Sequence, residues 1–496
     1  MKKYYDSASV AKLDAGLISS GIPSAVLMEN AGGAIARDVL ELFPANGLPR
    51  RAVICVGAGN NGGDGIVVAR RLALSGWAVT ILLTRDREAL KGDGAVFARF
   101  VPSSVRWEAS GRLSDEEVLR AFDASDVVLD GLLGTGTTGE PRGEIRRLIG
   151  LLNRSAAPCL SIDLPSGIES GGPWVQAAFT SSIAAYKASC ASGSRRTACG
   201  RVKLHALCFG EADQLEEPAL CGLERSDVAA LAPRCPNWAH KGTRGGVLIF
   251  AGSDRYRGAA LLSARGALRA GAGLVVLASS SSVLDAAAAS LPDAILERLD
   301  DGSDAASVLS RWKDRCRAMI VGPGLGRDGR AEEVAAAAAG FDGSSVWDGD
   351  GLSFLPRLGT SSGRRCLTPH EGEAARLLGG WDFESAPDRR AEGARRLAGL
   401  FGPTLLKGPG SLVAGEKISV IEAGGRVLAV PGSGDVLSGA VGAMLAAGLD
   451  CEAALVVAGW CHGRAGDRLT ERLGADGRLA QEIADELPQC LNEVCS

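Results

Sequence analysis

The sequence of 496 residues is poor in the side chains that bind transition metals or form disulfide frameworks. It has only four histidines, His205, His240, His370 and His462, and none of them lies four residues from another, as in a helical metal site. Its thirteen cysteines have irregular spacing and include no Cys-x-x-Cys pair. Such a pattern is typical of reduced, buried thiols. We therefore expect neither a zinc site nor a disulfide-stabilised domain.

Long apolar runs and an excess of basic charge are also missing. No stretch reaches the roughly 18 apolar residues of a spanning helix, and no apolar segment follows Lys2 and Lys3 as in a signal peptide. The net charge of −4 provides no positive field for nucleic acid. We expect a cytoplasmic protein with small-molecule partners, without nucleic acid or membrane. The oligomeric state stays open, a homo-oligomer included.

Glycine, by contrast, is abundant, with 67 residues against 11 phenylalanines. Two glycine-rich segments stand out, Gly57-Ala-Gly-Asn-Asn-Gly-Gly-Asp-Gly65 and Gly432-Ser-Gly-Asp435. Glycine lets the backbone approach an anion closely, and the free N–H groups of a following helix point at it. Because one hydrophobic core stops growing near ~250–300 residues, two such segments predict two domains with one nucleotide site each.

Apolar segments of strand length alternate with segments of helical period, which predicts an α/β fold with parallel sheets. In the first half a long helix is expected from Pro23 to near Phe43. The predicted strands there are 51–57, 78–84, 126–130 and 159–163, and the helices are 63–75, 116–122 and 144–153. In the second half the strands are 247–251, 274–278, 318–321 and 345–348, and the helices are 259–269, 331–339, 373–378 and 436–447. The acidic segment 209–218 lacks periodicity and ends in proline, so we expect a connector there and domains at 1–217 and 218–496.

The early glycine segment has two interpretations. Gly57-x-Gly59-x-x-Gly62 after a strand fits the dinucleotide fingerprint of a dehydrogenase, with Asp86 near the ribose-binding distance. Asn60, Asn61 and Asp64 do not belong to that fingerprint, and their oxygens suit a monovalent cation or a polar ring. Structural roles also stay open, because asparagine tolerates left-handed backbone and aspartate favours a helix start.

Two further segments follow predicted strands, Asp130-Gly-Leu-Leu-Gly-Thr-Gly-Thr-Thr-Gly-Glu140 and Ser161-Ile-Asp-Leu-Pro-Ser-Gly167. Together with the early segment they resemble the NAD(P)H-hydrate epimerases, a Rossmann-like family, over about residues 1–210. The resemblance implies potassium at Asn61, Asp130 and Ser166. It implies that the hydrated nucleotide binds at Asn60, Asn61, Gly62, Gly63, Asp64, Gly134, Thr135, Gly136, Thr137, Thr138, Gly139, Glu140 and Asp163.

Asp163 is the candidate acid or base of this half, since a carboxylate at a strand end beside a nucleotide cleft can move a proton. A helix-capping role is its alternative. One departure from the epimerase pattern is Ala178, which stands where the family has an aspartate. Lys187 matches the family lysine, although a surface position is the ordinary expectation for a lysine.

The second half carries a series of motifs: His240-Lys-Gly, Gly271-Ala-Gly273, Gly322-Pro-Gly-Leu-Gly326, Asp348-Gly-Asp-Gly351, Thr368-Pro-His-Glu-Gly-Glu373, Leu406-Lys-Gly408 and Gly432-Ser-Gly-Asp435. The series resembles the ADP- or ATP-dependent NAD(P)H-hydrate dehydratases, which are ribokinase-like, over about residues 222–490. The resemblance implies hydrate binding at Ala267, Gly324, His370 and Asp435. It implies ADP, with magnesium, at Lys407, Gly408, Pro409, Gly410, Ser411 and Gly434.

Asp435 is the second catalytic candidate. Backbone N–H groups at the start of a helix form an anion hole for a phosphoryl group, and the adjacent carboxylate can take a proton from an attacking hydroxyl. The alternative is an N-cap carboxylate. A lone His370 is more often a packed or capping residue, and His462 is expected to be structural.

The second half also departs from the dehydratase pattern. Gly349 and Gly351 replace alanines, which we expect to loosen a turn. Pro431 replaces a glycine and removes one backbone donor, and the segment 422–427 lacks the family's Asn-Pro-x-Gly-Asn-Pro run. If the N–H lost at Pro431 is one that contacts phosphate in the family, we expect a lower affinity for the nucleotide.

The two halves together predict repair of hydrated nicotinamide nucleotides. An epimerase interconverts the R and S hydrates, and a dehydratase converts the S form to NAD(P)H while ADP gives AMP and phosphate. Three alternatives stay open: a ribokinase-like small-alcohol kinase with a nucleotide-binding N-terminal domain, a dehydrogenase, and an interaction module without catalysis. The kinase would release a stable phosphorylated product.

Overall fold

The computed structural model describes residues 1–44, 50–137, 139–207, 217–234, 238, 240–299, 304–359 and 364–495. The chain forms two compact units. The N-terminal unit comprises Lys3–Leu220 and Glu384–Asp388, and the C-terminal unit comprises Met1–Lys2, Cys221–Phe383 and Arg389–Ser496. Most of the connector expected at 209–218 lies outside the described residues.

The N-terminal unit is built on a parallel sheet with helices on both faces. Its strands are β1 (Lys2–Tyr5), β2 (Arg51–Val56), β3 (Ala78–Leu83), β4 (Arg106–Ala109), β5 (Val127–Gly131), β6 (Cys159–Ile162), β7 (Phe179–Ile183), β8 (Tyr186–Lys187) and β9 (Arg201–His205). Its helices are α1 (Ser7–Ser19), α2 (Ser24–Leu42), α3 (Asn60–Leu74), α4 (Gly92–Ala98), α5 (Asp115–Asp123), α6 (Gly143–Leu152) and α7 (Gly193–Ala198).

The strand order of this sheet is β4-β3-β2-β5-β6-β7-β9, and every pairing is parallel. Alternate residues of β2 bury on opposite faces, because successive side chains of a strand point to opposite sides. Ile54 packs in the cluster that includes Ile66 of α3, whereas Val53 packs in the cluster that includes Phe122 of α5. Burying each such aliphatic side chain stabilises the fold by about 2 kcal/mol. The fold is therefore doubly wound, as the sequence predicts.

The C-terminal unit is a second, larger α/β unit. Its strands are β10 (Leu220–Gly222), β11 (Gly246–Phe250), β12 (Leu274–Ser279), β13 (Ile295–Arg298), β14 (Ala318–Val321), β15 (Ser344–Trp347), β16 (Arg365–Leu367), β17 (Thr404–Leu406), β18 (Ser411–Ala414) and β19 (Ile418–Ile421). Its helices are α8 (Arg225–Leu231), α9 (Arg257–Arg269), α10 (Ser281–Ser290), α11 (Ala305–Trp312), α12 (Gly329–Ala339), α13 (Leu355–Leu358), α14 (Glu371–Leu377), α15 (Arg389–Phe401), α16 (Ser433–Ala446), α17 (Cys451–Leu473) and α18 (Ala480–Cys495).

These strands follow the order β13-β12-β11-β14-β15-β16-β17-β18-β19-β10. The sheet is parallel except at β18, which runs antiparallel to both β17 and β19. Helix α16 is almost wholly buried against α9 and the sheet. Close packing of these two helices depends on Gly439, where an added Cβ would lie 2.1 Å from the carbonyl oxygen of Ser263. This packing fixes where α16 begins.

Every strand and helix predicted from the sequence is present, with ends shifted by a few residues. Helix α3 begins at Asn60, three residues before the expected start, so Asn60 and Asn61 are helical and Asp64 lies beyond the first three helical residues. The structural interpretations of these residues, left-handed asparagines and a helix-start aspartate, are therefore wrong. All cysteines of the described part are free thiols, and all but Cys221 and Cys495 are buried.

No helix within the described ranges has the length and apolarity needed to cross a membrane.

A buried carboxylate, Asp38, joins α2 to the sheet. Its Oδ2 accepts hydrogen bonds from Ser181 Oγ at 2.6 Å and pairs with His205 Nε2 at 2.5 Å, while Lys203 Nζ lies 2.7 Å from Oδ1. Burial alone would raise the pKa of Asp38, but His205, Lys203 and Ser181 outweigh it and lower the pKa to about 2. Asp38 therefore stabilises the fold above its unfolded pKa, and this contribution is lost as pH falls through the folded pKa.

We expect Asp38→Asn to lower the free energy of unfolding by about 2 kcal/mol near neutral pH, with the difference shrinking in acid. Urea unfolding of the full chain at several pH values measures it. Asp86→Asn is the control, because Asp86 pairs with Arg112 where both side chains are more than half exposed and such pairs contribute little. Equal effects of the two substitutions would contradict the role of Asp38.

Candidate active sites

A cavity of about 540 Å³ lies in the N-terminal unit at the carboxyl ends of β2, β5 and β6. The three strands are neighbours in a parallel sheet, so their following residues meet at one edge. The predicted residues that line the cavity are Asn60, Asn61, Asp64, Gly134, Thr135, Gly136, Thr137 and Asp163. The residues expected to bind one hydrated nucleotide thus surround a single space.

The three residues expected to bind potassium converge on the turn at Leu133. Asn61, in the first turn of α3, donates from its Nδ2 to the carbonyl oxygen of Leu133 at 2.8 Å. Ser166 Oγ lies 2.9 Å from Leu133 N and 2.5 Å from Asp130 Oδ1. Asp130 is fully buried and also accepts bonds from Ser161 Oγ and Ser166 N. Burial raises the pKa of Asp130, while these donors oppose the rise. Two serine hydroxyls and one backbone N–H therefore meet at a buried carboxylate, beside the turn that Asn61 contacts.

Asp163 forms an ion pair with Lys187. The Asp163 carboxylate accepts a hydrogen bond from Ile183 N at 2.9 Å and contacts Lys187 Nζ directly. Asp163 has a φ of 66°, so its backbone is left-handed, and its carboxylate caps no helix among the described residues. The helix-capping alternative is wrong. The expectation of a surface lysine is wrong as well, because the side chain of Lys187 is 1% exposed.

Three other carboxyl groups line the same cavity, Asp14, Asp64 and Asp93. Burial, and then the neighbouring Asp163, raise the pKa of Asp64 well above its usual range. The same two causes raise the pKa of Asp14. The cavity therefore combines an aspartate paired with a lysine and two carboxyl groups whose pKa values are raised by burial. Asp14 was not predicted, because a single aspartate in an amphipathic helix carries no local signal.

Some predicted residues of this half lie elsewhere. Gly62 and Gly63 pack against Gly57 and Met28, and an added Cβ at Gly62 would lie 2.1 Å from the oxygen of Gly57. Among the described residues that line the cavity, neither glycine appears, nor do Gly139 and Glu140. Thr138 lies outside the described residues.

In the C-terminal unit, α16 begins with the late glycine motif. Gly432 precedes the helix with a φ of 88°, a left-handed conformation that glycine adopts without strain. Asp435 is the third helical residue, and its carboxylate accepts no hydrogen bond from a backbone N–H of the described chain. The N-cap alternative for Asp435 is therefore wrong. The free N–H groups of the first turn and a carboxylate lie together, as the anion-hole hypothesis requires.

Charged side chains from three other segments surround Asp435. Lys407 Nζ lies 2.8 Å from Asp348 Oδ1 and 4.0 Å from Glu373 Oε2, and an added Cβ at Gly434 would lie 3.0 Å from the same nitrogen. Burial and then the charge of Asp348 raise the pKa of Asp435 to about 7, while Lys407 opposes the rise. A carboxylate that ionises near neutral pH suits a general base.

His370 lies next to this cluster. It precedes α14, its Nδ1 accepts from Glu373 N at 3.3 Å, and its backbone bridges to Lys407. Its imidazole is more than half exposed, so it caps the helix and still faces solvent beside Lys407. Gly324 has a φ of 60° in the turn after β14. Ala267, in contrast, is fully buried in the core on α9, and the structure does not bring it to the cluster.

The residues expected to bind ADP form the turn between β17 and β18. Lys407 and Gly408 follow β17, Pro409 and Gly410 form the tip, and Ser411 Oγ donates to the oxygen of Gly408 at 3.0 Å. Gly434 lies across from Lys407 Nζ. The turn and the start of α16 are therefore adjacent.

Family comparisons agree with this division into two sites. The family model described as "YjeF-related protein N-terminus" matches residues 24–189, and the model described as "NAD(P)H-hydrate dehydratase" matches residues 247–489. The bifunctional NAD(P)H-hydrate repair enzyme of Thermanaerovibrio acidaminovorans is 38% identical over 97% of both chains. That of Escherichia coli is 31% identical over 94% of this chain and 89% of its own. The chain belongs to the family of bifunctional NAD(P)H-hydrate repair enzymes.

A solved structure supports the fold of the second half of this repair-enzyme chain. A ribokinase-like superfamily protein from Enterococcus faecalis V583 covers 56% of this chain and 98% of its own, with 21% identity and a TM-score of 0.50. The ribokinase-like fold expected from the motifs is confirmed.

One of the departures from the repair-enzyme pattern has a structural explanation. We expected the glycines at 349 and 351 to loosen a turn. Gly351 instead packs tightly, since an added Cβ would lie 2.6 Å from the carbonyl oxygen of Val321, and Gly349 has a φ of 55°. The turn that positions Asp348 is compact, so this expectation is wrong.

His462 also contributes more than a packed histidine would. It is buried on α17, and its Nε2 lies 3.0 Å from the oxygen and 3.1 Å from Oγ of Ser433. Burial lowers the pKa of His462 to about 4, so it is neutral near pH 7. It thereby holds the glycine turn before Asp435. Because His462 and Ser433 are 29 residues apart, no local sequence pattern predicts this contact.

Proposed function

We propose that this chain repairs hydrated NADH and NADPH in two steps at two sites. The N-terminal site interconverts the R and S hydrates, and the C-terminal site dehydrates the S form. The observation that carries the proposal is the pair of separate carboxylate clusters, Asp163 with Lys187 and Asp435 with Lys407, each at the strand or helix end where a nucleotide would bind. Family membership supports the same assignment.

At the C-terminal site, ADP binds at the turn of residues 407–411, with its terminal phosphate at the free N–H groups at the start of α16. The hydroxyl of the hydrate attacks the β-phosphorus and transfers its proton to Asp435, and AMP leaves. The hydroxyl is thereby converted to a phosphate ester, which is a better leaving group than hydroxide. Loss of phosphate from one ring carbon and of a proton from its neighbour restores the double bond.

Magnesium would enter with ADP, on its phosphates, and neutralise charge that develops during transfer. Since the phosphates carry the ion, this site requires no dedicated cage of protein ligands. We favour ADP over ATP as donor, as in the bacterial dehydratases that the sequence resembles. Incubation of the S hydrate with each nucleotide, followed by chromatography of the products, compares the donors.

At the N-terminal site, the hydroxyl sits on the ring carbon bonded to nitrogen. Asp64, whose pKa is raised by burial, donates a proton to that hydroxyl, and water leaves as the ring nitrogen donates its electron pair. A new water attacks the opposite face and gives its proton to Asp163. Lys187 Nζ contacts the carboxylate of Asp163 directly. Proton transfer between the two carboxyl groups then resets the site.

Potassium fits the N-terminal site because the Asp130 carboxylate, the Ser166 hydroxyl and the Leu133 carbonyl oxygen lie together, and the amide of Asn61 contacts the same carbonyl. Asn61, Asp130 and Ser166 would hold the ion. When bound, it would supply positive charge to offset the buried carboxylate of Asp130 and would order the turn that lines the cavity. The reaction is proposed to take place in the cytoplasm, where its nucleotide substrates are found.

We expect potassium chloride to raise the unfolding temperature of the chain above that in tetramethylammonium chloride of equal concentration, because an ion that binds the native state stabilises it. Asp130→Asn should abolish the difference. Asp126→Asn is the control, since Asp126 pairs with Arg50 at the opposite end of β5. Calorimetric scans give the result, and a potassium effect that survives in Asp130→Asn would contradict this site.

The proposal as a whole is tested by incubating both hydrates with the full chain, ADP and magnesium. We expect NADH absorbance to return with one AMP and one phosphate released per NADH formed. A stable phosphorylated product would instead favour the small-alcohol kinase.

A further inference from the structure

A second buried cation lies beneath the turn expected to bind ADP. Arg390 is the second residue of α15, and its side chain is 4% exposed. Its Nη2 donates to the carbonyl oxygen of Lys407 at 3.0 Å and of Leu406 at 3.4 Å. Its Nη1 contacts the carboxylate of Glu371, the first residue of α14. One guanidinium therefore joins α14, α15 and the end of β17.

Burying this cation is costly. Burial lowers the pKa of Arg390 to about 10, and its Nε has no hydrogen-bond partner within the described part of the chain. An apolar side chain of similar size would avoid this cost. The planar guanidinium instead donates to two backbone carbonyls through Nη2 and lies in ionic contact with one carboxylate through Nη1. The cost of burying Arg390 therefore indicates that the arginine has a role beyond filling the core.

The segment that Arg390 holds is the one that connects the two expected subsites. Lys407 N donates to Pro369 O at 2.9 Å, directly before His370. Gly408 has a φ of 145°, and an added Cβ there would lie 2.7 Å from Arg390 Nη2. The guanidinium thus lies against Gly408 of the ADP turn and holds the carbonyl group of Lys407 by a hydrogen bond.

We propose that Arg390 is a positioning residue for the dehydration reaction: it fixes the backbone of Lys407 and Gly408 so that the Lys407 ammonium reaches Asp348 beside Asp435. The inference rests on the proposed function of the C-terminal site. Arg390 itself need not touch substrate, because its contacts are with backbone carbonyls and Glu371.

The chain provides a matched control in Arg365. This arginine is also buried, and its Nε and Nη2 donate to the carbonyl oxygens of Phe401 and Gly359 at 3.0 Å. Burial lowers its pKa as well. Neither of its partners belongs to the ADP turn, so Arg365→Met reports the cost of losing a buried arginine without disturbing Lys407.

The pH profile distinguishes positioning from stability. The groups that face Asp435 are Lys407, Asp348, Glu373 and Asp350, and only Lys407 favours its ionised form. If the ammonium of Lys407 is displaced, the acidic limb of kcat/KM for dehydration moves to higher pH. We expect this shift in Arg390→Met, together with a rise of about tenfold in KM for ADP.

In Arg390→Lys the KM for ADP should rise less than in Arg390→Met, since an ammonium can still donate to one carbonyl. Arg365→Met should lower the unfolding temperature but leave the KM for ADP and the acidic limb of the kcat/KM profile unchanged. An unchanged limb and KM in folded Arg390→Met would overturn the inference. Failure of the wild-type chain to dehydrate the hydrate with ADP would overturn the proposed function instead, so the two failures are distinct.

Discussion

Replacing Asp435 with asparagine abolishes dehydration, with an expected fall in rate of roughly a thousandfold, and leaves epimerisation at its wild-type rate. Asparagine keeps the size of the side chain but cannot take the proton of the attacking hydroxyl. The pKa of Asp435, raised to about 7, also predicts that wild-type dehydration increases as pH rises through neutrality. Chromatography of both hydrates with ADP and magnesium measures the two activities in one sample.

The control for this substitution is Asp450→Asn. Asp450 also lies at a helix start, where its Oδ1 accepts from Ala453 N at 2.8 Å and caps α17. Asparagine is an equally good cap, so stability and both activities should persist. Dehydration that survives in Asp435→Asn, or epimerisation that falls with it, would contradict the assigned role.

Replacing Asp163 with asparagine has the opposite result: epimerisation falls by about a thousandfold while the S hydrate is still dehydrated. Asparagine tolerates left-handed backbone, so the φ of 66° at this position does not prevent folding. The substitution also leaves the buried ammonium of Lys187 without its carboxylate, and we expect a lower unfolding temperature.

Because stability changes too, epimerisation must be measured well below the unfolding temperature. Asp126→Asn is the control. It removes a partly exposed carboxylate that pairs with Arg50 at the end of β5 opposite the cavity. Loss of both activities in Asp163→Asn at a temperature where it is folded would count against two independent sites.

The sequence predicted which segments meet at each site, because glycine turns and polar residues follow apolar strands and parallel strands end at one edge. Asn61, Asp130 and Ser166 were assigned from a family resemblance, and the structure brings them together at Leu133. The helix starts at Asn60 and Ser433 shifted by only three residues from their predicted positions.

Pairs distant in sequence were not predictable in this way. Lys187 is buried against Asp163 across 24 residues, and Lys407 reaches Asp348 across 59. Arg390 is one of several arginines in the charged helix α15, yet its side chain turns inward to carbonyl groups. The hydrophobic period indicates which face of a helix is buried, but it does not indicate which charged side chain forms buried hydrogen bonds or ion pairs.

The short antiparallel strands β18 and β19 were missed for a related reason. Each has only four residues, and the tight turn between β17 and β18 includes Pro409 and Gly410. Segments of this length carry little periodicity. Their register depends on pairing with β17, where Leu405 opposes Val413.

Mixing the two single-site variants tests the central claim, two independent sites on one chain, most directly. The pure R hydrate is supplied with ADP and magnesium to Asp163→Asn, to Asp435→Asn, and to both together, and NADH absorbance is followed. Neither variant alone should form NADH faster than spontaneous epimerisation and dehydration allow, whereas the mixture should form it at a rate approaching wild type. A mixture no faster than Asp163→Asn alone would contradict the account.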